Sequence, residues 1–221
     1  MSERTHSDHA GGPATVGSSG GTDAPAPAAS RGWRLVDIVV CAVLGVACGL
    51  IFFAWNAVGY AGFSVLDALT PGFGGLAAGV WFLAGPLGAL IIRKPGAALF
   101  CELIAGFVSM ALGNQWGWTT MYSAFAQGLG AELAFLLFGY RRWRLPVALL
   151  SGVLAGVGAW VLEFALSNHA KDLTFNIIYL IATAISGLVL AGLLGWGLMR
   201  ALGRAGALDR FASGREARSR A

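Results

Sequence analysis

Charge is scarce in this chain: Asp, Glu, Lys and Arg make up 12% of its 221 residues, against 57% apolar types. A soluble domain carries about 25% charged residues, so an ordinary water-soluble fold is excluded. Cysteine is scarcer still. Cys41, Cys48 and Cys101 all lie in apolar stretches, where each reads as a small packing residue; they imply neither a disulfide framework nor a metal site. Histidine is confined to His6, His9 and His169. The first two sit in a polar tail without further ligands, and His169 is in a loop beside Lys171 and Asp172, so an intramembrane serine protease would lack its base. The H-E-x-x-H and G-x-x-x-x-G-K-[ST] patterns are both missing, which excludes zinc-peptidase and phosphate-loop ATPase chemistry. The net charge of +4 does not point to nucleic acid, because the basic residues stand at the ends of apolar segments rather than on one folded face.

Long apolar runs are what the chain does have. Crossing the ~30 Å hydrocarbon layer takes ~20 mostly apolar residues, and six segments qualify: 35–57, 73–93, 95–113, 119–140, 145–168 and 173–200. This pattern predicts an all-α membrane protein with six transmembrane helices in one compact bundle. Arg4, Arg31 and Arg34, then Arg93 and Lys94, then Arg141, Arg142 and Arg144, then the arginines from Arg200 to Arg220 all fall on one side, leaving Lys171 on the other. Basic residues are retained in the cytoplasm, so both termini are predicted there. Trp33, Trp143 and Trp196 near one surface and Trp55, Trp116 and Trp118 near the other form interfacial belts, while Trp81 and Trp160 lie within spans as packing residues or cavity walls. Glycines four residues apart, such as Gly45 with Gly49 and Gly152 with Gly156, allow close helix approach.

The flanks read differently. Residues 1–32 form a Gly, Ala, Ser and Pro tract that buries too little to order, predicting a disordered cytoplasmic tail with no secretory h-region. The membrane domain is then 33–204, and 205–221 is a basic cytoplasmic tail.

Against this apolar background Glu102, Glu132 and Glu163 stand out, one in each of three consecutive spans. A charge within a bilayer costs about 2.5 kcal/mol or more, so each is expected to face a cavity, a partner or a ligand. Reckoned at ~1.5 Å per residue, Glu163 lies near the wall and Glu132 near the floor of a cavity opened from outside, with Glu102 deeper. The expectation therefore ranks Glu132 and Glu163 above Glu102, which could equally be a packing or partner-facing acid. Asn114, Gln115, Trp116, Trp118, Tyr122 and Gln127 supply amides, indoles and a phenol at the cavity mouth. Carboxylates and amides read the nitrogens of a heterocycle, and an indole stacks on its face. Trp160, one turn from Glu163, and Asn176 with Tyr179 at the start of the sixth span could close the same site. The segment Val58 to Gly72, apolar through Tyr60, Phe63, Val65 and Leu66, is expected to be an outer loop able to act as a lid, or a plain turn set by Asp67 and Pro71.

These segments, the run Gly113-Asn114-Gln115-Trp116-Gly117-Trp118 and the run Gln127-Gly128-Leu129-Gly130-Ala131-Glu132 resemble the substrate-binding (S) components of energy-coupling-factor transporters, in the YkoE-like group linked to thiamine and its hydroxymethylpyrimidine precursor. The resemblance covers residues 33–204. It implies a non-enzymatic subunit in the plasma membrane, without a cofactor, that binds the vitamin from outside. An energy-coupling transmembrane protein and two ABC ATPase domains would complete the importer. A membrane scaffold and a stand-alone proton-coupled transporter are the alternative readings of the same acids.

Overall fold

The computed structural model describes residues 32–219; the N-terminal tail, with His6 and His9, lies outside the described residues. Helix α1, Leu35–Leu69, opens where the Asp37 carboxylate accepts the Arg34 backbone N–H at 2.9 Å and pairs with its guanidinium at 2.7 Å. An acid in the first turn complements the N-terminal helix dipole. The helix runs 35 residues, past the expected boundary at residue 57 and through the segment expected to be a loop. No proline interrupts that segment before Pro71, so the helical hydrogen bonding simply continues. Asp67 then accepts the Gly72 N–H at 2.8 Å, and Gly72, at φ 98°, turns the chain.

Next come a ten-residue 3₁₀ segment, Phe73–Phe82, and α2, Ala84–Ile92. Long 3₁₀ runs are uncommon, and tertiary contact holds this one. Ser186 donates to the Leu76 carbonyl at 2.5 Å and accepts the Gly79 N–H at 2.8 Å, while a Cβ on Gly79 would collide with the Ser186 backbone. The turn at Arg93 to Gly96, expected from its sequence, leads into the short α3, Ala97–Ala111. Then follow α4, Thr119–Leu137, and α5, Leu145–Leu166. The rod formed by α6, Leu173–Ser186, a π segment, Gly187–Leu193, and α7, Leu194–Arg204, crosses α5 where Gly152 and Gly187 meet backbone to backbone.

Among the described residues, four stretches are long and apolar enough to cross a membrane: Leu35–Leu69, Phe73–Ile92, Leu145–Leu166 and Leu173–Arg204. Ala97–Ala111 is apolar but shorter, and α4 carries Gln127 and Glu132 among its polar residues. The chain is thus an all-helical, multi-pass membrane protein. Its expected basic tail does not all hang free. Leu208 and Phe211 are buried, α8 (Ala212–Ser219) returns to the bundle, Ser213 donates to the Ile91 carbonyl at 3.1 Å, and Glu216 pairs with Arg93 at 2.8 Å.

Candidate functional site

Between α1, the 3₁₀ segment and α3 to α6 lies a cavity of about 410 Å³. It exists because the residues facing it from several helices, Ala78, Gly106, Ala124 and Ala159, are too small to fill the space. Its mouth is aromatic. Trp116 meets Tyr60 edge-on at 5.4 Å and Trp81 edge-on at 5.6 Å, and Phe63 stands between Tyr60, stacked at 6.0 Å, and Tyr179 at 6.3 Å.

A hydrogen-bonded frame holds these rings. The Trp81 indole N–H donates to Asn56 Oδ1 at 2.8 Å, Asn56 Nδ2 donates to Ser109 Oγ at 3.0 Å, and Asn114 Nδ2 reaches the same oxygen at 3.3 Å. Asn114 Oδ1 accepts the Trp116 and Gly117 backbone N–H groups at 3.1 and 2.9 Å, which shapes the loop that carries Trp116. Amides satisfied in this way stiffen a site, since a buried member left unpaired would cost about 1–3 kcal/mol.

Two of the three carboxylates take places different from those the spacing suggested. Glu102, 1% exposed, lines the cavity. Its Oε2 accepts the Gly85 N–H at 2.6 Å, and its Oε1 is buried with no hydrogen-bond partner among the described residues. Glu163 is on the wall, accepting the Tyr179 hydroxyl at 3.0 Å, with Lys171 on the same rim and its Nζ 3.7 Å from the Phe175 ring centre.

Glu132 does not reach the cavity. Its two oxygens accept the N–H groups of Gly96 at 2.6 Å, Ala98 at 2.8 Å and Leu99 at 3.3 Å, which are the orphan donors of the α3 N-terminus. Gln127 does line the cavity, and five residues on, Glu132 is rotated by about 140° around the helix axis. The expected ranking therefore changes for two of the three: Glu102 is the acid with a free acceptor at the cavity, Glu132 is a helix cap, and Glu163 keeps its place on the wall.

Of the other candidates, Asn114, Trp116, Gln127, Glu163 and Tyr179 line the cavity together. Gln115 is exposed, and Trp118 and Tyr122 are 74% and 60% exposed, facing away as interfacial residues do. Trp160 and Asn176 do not line the cavity: the indole donates to the Asn176 carbonyl at 3.0 Å, and the Asn176 amide donates to the carbonyls of Asn168 and Asp172 at 2.9 and 3.1 Å, tying the α5–α6 turn to α6. Ser109, Thr120, Ser123 and Lys171 were not expected in the site. Only Ser109 left a trace in the sequence, as a polar residue two turns from Glu102 on one helical face.

Comparison with known proteins agrees with this architecture. The family described as "ABC-type cobalt transport system, permease component" matches residues 36–158. A protein of Bacillus subtilis (strain 168) named as the HMP/thiamine permease protein YkoE is 32% identical over 191 residues, 84% of this chain and 92% of that protein. A solved structure described as an S-component of an ECF transporter superposes with a TM-score of 0.72 at 30% identity, over 86% of this chain and 95% of that one. The chain belongs to the YkoE-type S components. As an S component it is the substrate-binding subunit of an energy-coupling-factor transporter, and a cavity enclosed by its own helices is what that role requires.

Proposed function

We propose that the S component captures thiamine or its hydroxymethylpyrimidine precursor from outside the plasma membrane and delivers it through an energy-coupling transmembrane protein driven by ABC ATPase domains. The observation that carries this reading is the Glu102 acceptor, buried and unpartnered at a cavity whose mouth is aromatic. Its volume of about 410 Å³ suits a small heterocycle, within the ~300–1,000 Å³ range of small-molecule sites. An aminopyrimidine offers an N–H donor to Glu102, Gln127 offers an amide, and Trp116 and Trp81 offer ring faces or edges. The thiazolium of thiamine would add a cation for Glu163. The name of the Bacillus subtilis relative supports this class of cargo. The family description mentions cobalt, but the described residues lining the cavity include neither His nor Cys, and imidazole and thiolate are ligands that favour such a metal.

In this reading the membrane domain is 33–204, the six helical stretches all span, and both termini are cytoplasmic. Arg93, Lys94 and Arg141 to Arg144 support that orientation, with Lys171 opposite. The purified chain should bind thiamine or hydroxymethylpyrimidine at micromolar concentration or below, followed by calorimetry and by quenching of tryptophan emission. Absence of binding for both would reject the cargo. A single cysteine replacing Lys171, in a background without the native cysteines, should react with an impermeant maleimide from outside intact cells. Labelling only after lysis would reverse the proposed topology.

A further inference from the structure

The hydrogen-bonded frame of the cavity fixes more than its shape. Asn56 Oδ1 accepts from the Trp81 indole N–H, which can only donate, so the Asn56 amide must present its NH₂ to Ser109. Asn114 Oδ1 accepts from two backbone N–H groups, which also only donate, so its NH₂ is left to the hydroxyl oxygens of Thr120, at 2.9 Å, and Ser109, at 3.3 Å. Two obligate donors thus converge on one hydroxyl oxygen, at 3.0 and 3.3 Å. A serine hydroxyl has two acceptor lone pairs and one proton. Both lone pairs are taken, and among the described residues no acceptor takes the Ser109 proton. The residue is 2% exposed and lines the cavity, so that proton has the cavity to point into.

From this, and resting on the cargo reading above, we infer that Ser109 is a specificity-determining residue that acts only as a donor, selecting ligands with a hydrogen-bond acceptor at its position: an uncharged ring nitrogen or a hydroxyl oxygen. Its chemistry is opposite in sign to that of the free Glu102 oxygen on the same helix. Seven residues at ~1.5 Å each separate the two by about 10 Å along the axis, so they read different parts of the cargo. A ligand with an amine at one end and an acceptor at the other satisfies both; one that offers N–H donors at both ends leaves the Ser109 proton facing a donor.

The test is a cycle between protein and ligand. Thiamine, hydroxymethylpyrimidine, their analogues with one pyrimidine nitrogen replaced by C–H, and the analogues lacking the hydroxyl group are titrated by calorimetry into the wild-type chain, Ser109→Ala and Ser109→Cys. For any ligand that keeps the acceptor, Ser109→Ala should weaken binding about three- to tenfold. For one acceptor-deleted analogue that penalty should vanish, with Ser109→Cys, a weak donor, falling between. An equal penalty for every ligand would mean that Ser109 only props up Asn56 and Asn114, and would overturn the inference while leaving the cargo intact. Failure of the wild-type chain to bind any ligand would overturn both.

Discussion

At the residue scale, Glu132 and Glu102 carry different burdens, and the difference lies in what surrounds each. Glu132 satisfies three backbone donors at the start of α3. Glu132→Gln replaces a charged acceptor with an amide that keeps only one oxygen, so it should lower stability by about 1–3 kcal/mol and shift thermal unfolding in detergent, while the ligand Kd changes less than twofold. Glu102→Gln should do the reverse. The melting curve should move little, because the side-chain amide oxygen can still accept from Gly85, and ligand affinity should fall at least tenfold as one oxygen becomes an N–H donor facing the ligand amine. If Glu132→Gln is the variant that abolishes binding, the cavity assignment is wrong. Trp116 touches both Tyr60 and Trp81 at the mouth. Trp116→Ala should therefore speed ligand release, measured by stopped-flow dilution, more than it slows capture.

At the element scale, the long α1 is the main departure from expectation. The amides of residues 58–69 should exchange slowly with deuterium, as hydrogen-bonded helix does; exchange within seconds across that stretch would restore the loop. The 3₁₀ segment and the π segment depend on bare backbone where the helices cross. At Gly152 a Cβ would overlap the Gly187 carbonyl, and at Gly79 it would overlap Ser186. Gly152→Ala should cost about 1–3 kcal/mol, as overpacking a core does, and lower the thermal midpoint. Gly62, with nothing near its missing Cβ, should accept alanine without loss.

At the scale of the whole molecule, the C-terminal segment closes the end of the bundle that carries the Arg93 turn. Truncation after Ala205 removes buried Leu208 and Phe211 and the Ser213 bond to Ile91. Each buried side chain is worth about 1.5–3 kcal/mol, so the truncated protein should unfold at lower temperature yet bind its ligand with unchanged affinity, since none of these groups lines the cavity. Part of the helical organisation was legible beforehand: the Arg93 to Gly96 turn and the loop at Asn114 fall at their expected places, whereas α1 runs on past residue 57 to Leu69. Six of the twelve expected residues, Asn114, Trp116, Gln127, Glu163, Tyr179 and Glu102, line the cavity together. Gln115, Trp118, Tyr122, Trp160, Asn176 and Glu132 do not, since neighbours in sequence point to different sides of a helix or a loop.

Sequence alone determined that this chain lives in a membrane and that its polar residues must be accounted for, because hydropathy and the cost of burying charge are properties of composition and order. Which acid caps a helix and which faces the cavity was decided only by tertiary structure. That choice depends on where the N-terminus of α3 meets the side of α4, on the small residues that leave the cavity open, and on the direction in which each amide is forced to donate. None of these is a property of a residue and its neighbours in the chain.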